Sequence, residues 1–311
     1  MILCSNSCKS NEGKACTSGL LLSVILTGVL TEGKNCLSQN HKLLDTFGCK
    51  SIRRIFLIFT VLKLIKRIFA PIWKTWFFTV FAISFLILYP LFFITIKTQH
   101  LNTTFKIKRI WSYCIAYGSF VFPKLIYKTK TKKMPQPCVF VGNHTSYLDI
   151  VLSTFYIDHL ALYMGKAELL KAPLFKTFFK GMDITVNRKS IKDSHRAFKK
   201  AGDEIDKGRS MVIYPEGTIS TYGKLRPFKN GPFKLAIEKQ VPIVPVVNLN
   251  NWELLQNGGY FKSNGCFGVA KSVILEPIET KGMTEENLVD LRERVFKLIN
   301  DTLHEYNGTK N

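Results

Sequence analysis

The run Asn143-His144-Thr145-Ser146-Tyr147-Leu148-Asp149 directly follows an apolar, strand-like stretch, Cys138-Val139-Phe140-Val141. A histidine placed where a strand gives way to a helix can be presented at a surface. A carboxylate five residues on can reach back and fix its tautomer, leaving one ring nitrogen free as a general base. One residue turns an α-helix by about 100°, so five residues would set the two side chains on different faces of a continuous helix. The spacing therefore places His144 ahead of the helix and Asp149 in its first turn. The same residues also fit a plainer device. Ser146 to Asp149 read as a capping box, with Ser146 as N-cap and Asp149 as the returning carboxylate.

Further runs keep it company. Gly181-Met182-Asp183-Ile184-Thr185-Val186-Asn187-Arg188 ends in a single arginine, and Tyr214-Pro215-Glu216-Gly217-Thr218 follows the apolar stretch Met211-Val212-Ile213. Phe228-Lys229-Asn230-Gly231-Pro232-Phe233 and Val241-Pro242-Ile243-Val244-Pro245-Val246 come next. Each has an ordinary reading. Pro242 and Pro245 restrict a strand to an edge or to its start, Gly217 is a turn glycine, and Arg188 is a solvated surface charge. In this order, and after strand-like stretches, they point to one site.

Here the chain resembles the glycerolipid acyltransferase family, whose pattern runs NHxxxxD, a glycine-to-arginine block, EGTR and a VPxxPV-like block. The resemblance covers about residues 110–300. It implies that His144 deprotonates an acceptor hydroxyl and that Asp149 orients His144. It also implies that Asn143, Glu216, Gly217 and Thr218 shape the acceptor pocket, that Arg188 meets the acceptor phosphate through a bidentate guanidinium contact, and that Pro242 and Pro245 line the acyl or thioester path. The implied reaction moves a fatty acyl group from acyl-CoA or acyl-carrier protein to the free hydroxyl of 1-acylglycerol-3-phosphate. The product is phosphatidic acid, made in phospholipid biosynthesis. The thioester is a co-substrate, and neither a cofactor nor a metal is called for.

The chain departs from the pattern once. Ile219 stands where EGTR has its arginine. Either nearby cations such as Lys224, Arg226 and Lys229 hold the acceptor phosphate, or the acceptor is another lysolipid. A thioester or lysolipid hydrolase using the same His-Asp pair also stays open, because the residues alone do not decide between water and an alcohol. So does a non-catalytic lipid anchor.

Along the whole chain, the charge pattern is that of a membrane-surface protein. The sequence holds 44 Lys and Arg against 22 Asp and Glu, a formal charge of +22. No acidic residue lies between Asp45 and Asp149, against sixteen Lys and Arg. These cations are interleaved with stretches such as Phe81-Ala82-Ile83-Ser84-Phe85-Leu86, which suit an anionic bilayer and not a nucleic acid. Residues 52–69 read as an interfacial amphipathic helix with a polar stripe of Arg53, Thr60, Lys63 and Arg67, ended by Pro71. The twenty-one uncharged residues of 76–96 are long enough to span, with Trp73, Trp76 and Tyr89 as interface anchors. A single span would put Arg53, Arg54, Lys63 and Lys66 outside, against the positive-inside tendency. The reading is therefore monotopic or re-entrant attachment, bent near Pro90, with the catalytic domain on the cytoplasmic face of the membrane.

Residues 1–50 hold five of the eight cysteines and a signal-like apolar run at 19–30, and fit nothing downstream. Residues 51–109 are the expected membrane-attachment helices, and 110–311 the acyltransferase domain. Strands are expected at 138–142, 160–164, 183–187, 210–214 and 243–248, with a pair in 267–276. Helices are expected at 146–157, 167–180, 191–206, 230–239 and 284–305, the last capped by Thr284. Such alternation implies an α/β fold with a largely parallel sheet flanked by helices.

Overall fold

The computed structural model describes residues 50–308, apart from 172, 188, 189, 221 and 222, and not the side chains of 50–67, 169 and 173–175. The expectations for residues 1–49, for Arg188 and for the stripe of Arg53, Thr60, Lys63 and Arg67 lie outside that description. Residues 1–64 and 65–311 group as separate units by contact. The second unit holds the sheet and every residue of the candidate site.

Seven strands make one sheet: β1 (Val121–Lys128), β2 (Val139–Gly142), β3 (Ala161–Lys166), β4 (Ile184–Val186), β5 (Ser210–Ile213), β6 (Ile243–Asn248) and β7 (Gly268–Leu275). Their order across the sheet is β1-β7-β6-β2-β5-β3-β4. Every pairing is parallel except β6 with β7. The central strands are short and apolar on both faces, as a sheet covered by helices on each side requires. Val139, Phe140, Met211, Val212, Ile243 and Val244 are all buried.

The helices are α1 (Lys50–Lys97), α2 (Leu101–Gly118), α3 (Leu148–Tyr156), α4 (Pro173–Gly181), α5 (Ile191–Asp206), α6 (Gly231–Lys239), the single turn α7 (Asn251–Leu254) and α8 (Leu288–Gly308). The chain thus has the expected α/β architecture with a largely parallel sheet. Thr284 caps the last helical segment through a capping box with Asn287.

Several expectations are corrected. Pro71 does not end a helix, and the chain does not bend back near Pro90, because α1 runs through both prolines. An interior proline costs about 3 kcal/mol. Here one face of α1 buries Trp73, Phe77, Phe85, Phe92 and Ile96, at about 1.5–3 kcal/mol for each large apolar side chain, so burial wins. The chain reverses instead at residues 98–100, and α2 returns alongside: Trp73 Nε1 donates to Ser119 O (3.0 Å) and Trp76 Nε1 to Gly118 O (2.8 Å). Trp73 is therefore core and no interface anchor. Lys74 is buried as well, with its ammonium 2.5 Å from Ser263 O and 2.7 Å from Ser263 Oγ.

Residues 267–276 form one strand and no pair, and β1 was not anticipated. Only Val121 of β1 is buried, the rest being half-buried or exposed, and it carries Pro123 and two lysines, which hide its strand character. Residues 167–180 divide into a 3-10 turn (Ala167–Lys171) and α4.

From Lys74 to Lys108 the α1–α2 hairpin lies against the α/β layers. Tyr89 OH meets Thr177 Oγ1 (3.1 Å), Phe92 packs edge-on to Phe178 with ring centres 4.7 Å apart, and Lys108 on α2 forms a buried ion pair with Asp183 (2.9 Å). Its other face is apolar and open: Ile72, Ile83, Leu86, Ile87, Leu91 and Ile94 are exposed. The stretch Ile68–Lys97 is long and apolar enough to cross a membrane.

Candidate active site

Three neighbouring strands, β6, β2 and β5, end side by side at Asn248, Gly142 and Ile213. The crevice beyond the carboxyl ends of such strands is where open α/β sheets hold ligands. The approach is close enough that a Cβ on Gly142 would sit 3.0 Å from Val246 O.

Asn143 and His144 leave the end of β2. The Asn143 amide is taken up entirely by β6: Nδ2 donates to Asn248 O (2.9 Å) and Oδ1 accepts from Asn248 N (2.7 Å). Asn248 returns the contact, Nδ2 to Asn143 O (3.1 Å), and its Oδ1 accepts from Ser272 Oγ (3.0 Å). Asn143 was expected to touch the acceptor. With both ends of its amide engaged, it locks the strand ends together instead.

His144 and Asp149 meet as the spacing requires. Asp149 sits in the first turn of α3, and His144 Nδ1 lies 2.9 Å from Asp149 Oδ2. The same oxygen accepts from Thr145 N (2.7 Å) and Ser146 N (2.9 Å), while Ser146 Oγ accepts from Leu148 N (3.2 Å). These side-chain contacts and the dyad are one arrangement, and the helix itself begins at Leu148, with Tyr147 and not Ser146 just ahead of it. Since backbone N–H groups can only donate, Asp149 is an acceptor toward them and His144 Nδ1 carries the proton. Nε2 is then the lone-pair nitrogen, and among the described residues the ring's hydrogen bond is the one Nδ1 makes to Asp149. The ring stacks on Tyr214 with centres 4.1 Å apart, and Tyr214 OH donates to Asp149 O (2.9 Å). Burial pushes the Tyr214 hydroxyl well above its ordinary range, so it remains a neutral donor.

Glu216 faces the dyad from the loop after β5. Its Oε1 accepts from His144 N (2.6 Å) and its Oε2 from Arg226 N (3.2 Å). Burial pushes its carboxyl up to about 8, against the pull of the two backbone donors. Gly217 takes φ +74°, and the Lys229 ammonium lies 3.1 Å from where its Cβ would be. That combination of left-handed backbone and close cation favours glycine. Lys229 pairs with no carboxylate among the described residues. Thr218 and the side chains of Lys224 and Arg226 are exposed.

The prolines sit elsewhere. Pro242 precedes β6, and its carbonyl accepts from Val139 N (3.0 Å) at the start of β2. Each strand residue advances about 3.3 Å, so the length of β6 separates Pro242 from the crevice, and it cannot line a path there. Pro245 is buried within β6 opposite Val141, between the Ile243–Ile278 bridge and the β7 ladder that begins at Val246. Its missing donor falls where β6 lacks a second partner.

Residues 125–248 match the family model described as Acyltransferase. Human 1-acyl-sn-glycerol-3-phosphate acyltransferase beta is 33% identical over 167 residues, 52% of this chain and 59% of that protein. Over residues 125–248 the chain is similar to acyltransferases. The 1-acyl-sn-glycerol-3-phosphate acyltransferases of Haemophilus influenzae and Saccharomyces cerevisiae are 27% and 30% identical, covering 56% and 55% of this chain. The chain spans 71% of the former and 56% of the latter. The crystal structure of the Thermotoga maritima 1-acyl-sn-glycerophosphate acyltransferase superposes with a TM-score of 0.55 at 22% identity, over 72% of this chain and 97% of that one. That likeness shows the shared fold. Tyr214, Asn248 and Asn251 contact His144, Asn143 and Asp149, and sequence reasoning missed them. Only the polar cluster Asn248–Asn251, directly after an apolar strand, could have signalled the last two.

Proposed function

We propose that this protein is a glycerolipid acyltransferase that transfers a fatty acyl group from an acyl thioester, acyl-CoA or acyl-carrier protein, to the free hydroxyl of 1-acylglycerol-3-phosphate. The observation that carries the reading is His144. Its Nδ1 is held by Asp149, its ring is braced by Tyr214, and its Nε2 keeps its lone pair at the strand ends. Nε2 takes the proton of the acceptor hydroxyl as the oxygen bonds to the thioester carbonyl carbon. The C–S bond then breaks, and the proton passes from Nε2 to the departing sulfur, giving the thiol. The acceptor is itself the nucleophile, so no acyl-enzyme is required.

Lys229, packed against Gly217, stands in for the missing arginine as the phosphate-binding cation, helped by Arg226, whose backbone N–H meets Glu216. Ile219 supports a second reading, in which the acceptor is another lysolipid with the same chemistry.

The enzyme attaches to the membrane by the α1–α2 hairpin, with the catalytic layers on the cytoplasmic side. Contacts from Trp73 to Ile96 keep α1 against the α/β layers. This favours a hairpin lying in the interface over a free span.

The test follows thiol release from acyl-CoA in liposomes, with lysophosphatidic acid and lysophosphatidylethanolamine compared as acceptors. Release that requires lysophosphatidic acid and yields phosphatidic acid is the expected result. Release only with the other acceptor supports the second reading, and release without any acceptor makes the protein a hydrolase. General-base catalysis contributes about 10²–10⁴-fold, so His144→Ala should lose at least two orders of turnover. Asp149→Asn should lose less, since it disturbs the base without removing it. Unchanged turnover in His144→Ala would overturn the mechanism.

A further inference from the structure

The Asp149 carboxylate receives four hydrogen bonds, and the fourth comes from far along the chain. Oδ2 takes the three from His144, Thr145 and Ser146. Oδ1 takes Asn251 Nδ2 at 2.8 Å, from 102 residues later. Asn251 is fully buried in α7, just beyond the end of β6.

Its own Oδ1 is buried with no hydrogen-bond partner. Such atoms are rare, and each is destabilising. Turning the amide over would set its oxygen against Asp149 Oδ1, acceptor against acceptor. The carboxylate therefore fixes which end of the amide faces it, and the orphaned carbonyl is what remains.

The surrounding turn is firmly tied. Asn250 Nδ2 donates to Val269 O (2.8 Å), and Lys271 N donates to Asn250 Oδ1 (2.8 Å), pinning the turn to β7. Ser146 Oγ donates to Leu255 O (2.7 Å), joining the end of α7 to the loop that carries His144.

We propose that Asn251 is a positioning residue that holds Asp149 Oδ1 so that Oδ2 stays aligned on His144 Nδ1, extending the dyad to a His144–Asp149–Asn251 series. Without the amide, Oδ1 is left with an unpaired acceptor in a buried site. The carboxylate then attracts the His144 proton more strongly, and the base is protonated at a pH where it should be free. The other titratable groups acting on Asp149 are Glu216, Tyr156 and Tyr214, with Arg226 acting on Glu216. Substitution of Asn251 leaves all of them in place.

This role takes its catalytic meaning from the proposed acyltransferase activity, but its first readout does not depend on that activity. The His144 ring nitrogens are followed by NMR across pH in the full chain in detergent micelles, assigned by their absence in His144→Gln. Asn251→Leu keeps the volume and removes the donor. Asn251→Ser is the second variant should the first not fold, since its hydroxyl is too short to span the contact. In either folded variant the His144 titration midpoint should move to higher pH. The acid limb of the turnover profile should move with it, and turnover at neutral pH should fall about tenfold or more with the acceptor KM unchanged. A folded variant whose His144 titrates as in the native chain overturns the proposal. Absence of acyl transfer by the native chain would overturn the proposed function instead, and would leave the NMR comparison intact.

Discussion

His144 is the residue whose neighbours could be read most directly from sequence, because its partner lies five positions away and local spacing reports local geometry. Glu216 is a different case. The EGT run marked it as part of the site, but nothing in the run tells that its carboxylate supports the backbone of His144 and is buried in doing so. Burial raises its carboxyl from an ordinary 4.5 to about 8. Between those values the folded chain holds a proton that the unfolded chain releases. The stability this proton contributes is present below about 4.5 and is lost as pH rises through about 8. The thermal midpoint should therefore fall from pH 5 to 8.5, and Glu216→Gln should flatten that fall. A glutamine variant that keeps the native slope would show that the dependence arises elsewhere. The contact of Asn251 with Asp149 was invisible for a plain reason: the two lie 102 residues apart, and no periodicity records a contact of that range.

At the scale of elements, apolar runs bounded by turn residues located β2, β3, β5 and β6 within a residue or two, because parallel strands buried on both faces read as continuous apolar stretches. β1 pairs at the edge of the sheet with β7 alone, and its lysines hide its strand character. The prolines of α1 misled in the opposite sense, since local propensity yielded to burial of one helix face. Gly142 shows how tightly the elements approach one another at the site. An alanine there would bring a methyl group to 3.0 Å from Val246 O, a backbone atom that no rotamer change can move. Gly142→Ala should lower stability by about 1–3 kcal/mol, measured from the denaturant midpoint, and should reduce turnover by displacing His144. An unchanged midpoint would mean that β2 and β6 can separate without strain.

For the molecule as a whole, the +22 charge and the open apolar face of α1 make a joint expectation. Each cation near an anionic surface contributes about 1 kcal/mol, and salt screens this. Binding to anionic vesicles should weaken as salt rises yet persist through the apolar face. Ile83→Asp combined with Ile87→Asp should abolish the persistent part in flotation assays while the fold survives. Vesicle binding unaffected by the pair would place the membrane contact on another face. The reciprocal amides of Asn143 and Asn248, 105 residues apart, carry a further consequence for how the protein comes into being. During synthesis the ribosome delivers His144 and Asp149 well before Asn248 and Asn251. A nascent chain therefore holds both members of the proposed general base for about a hundred residues without the segment that clamps them. On that proposal, reactivity should be acquired late, when the last central strand docks.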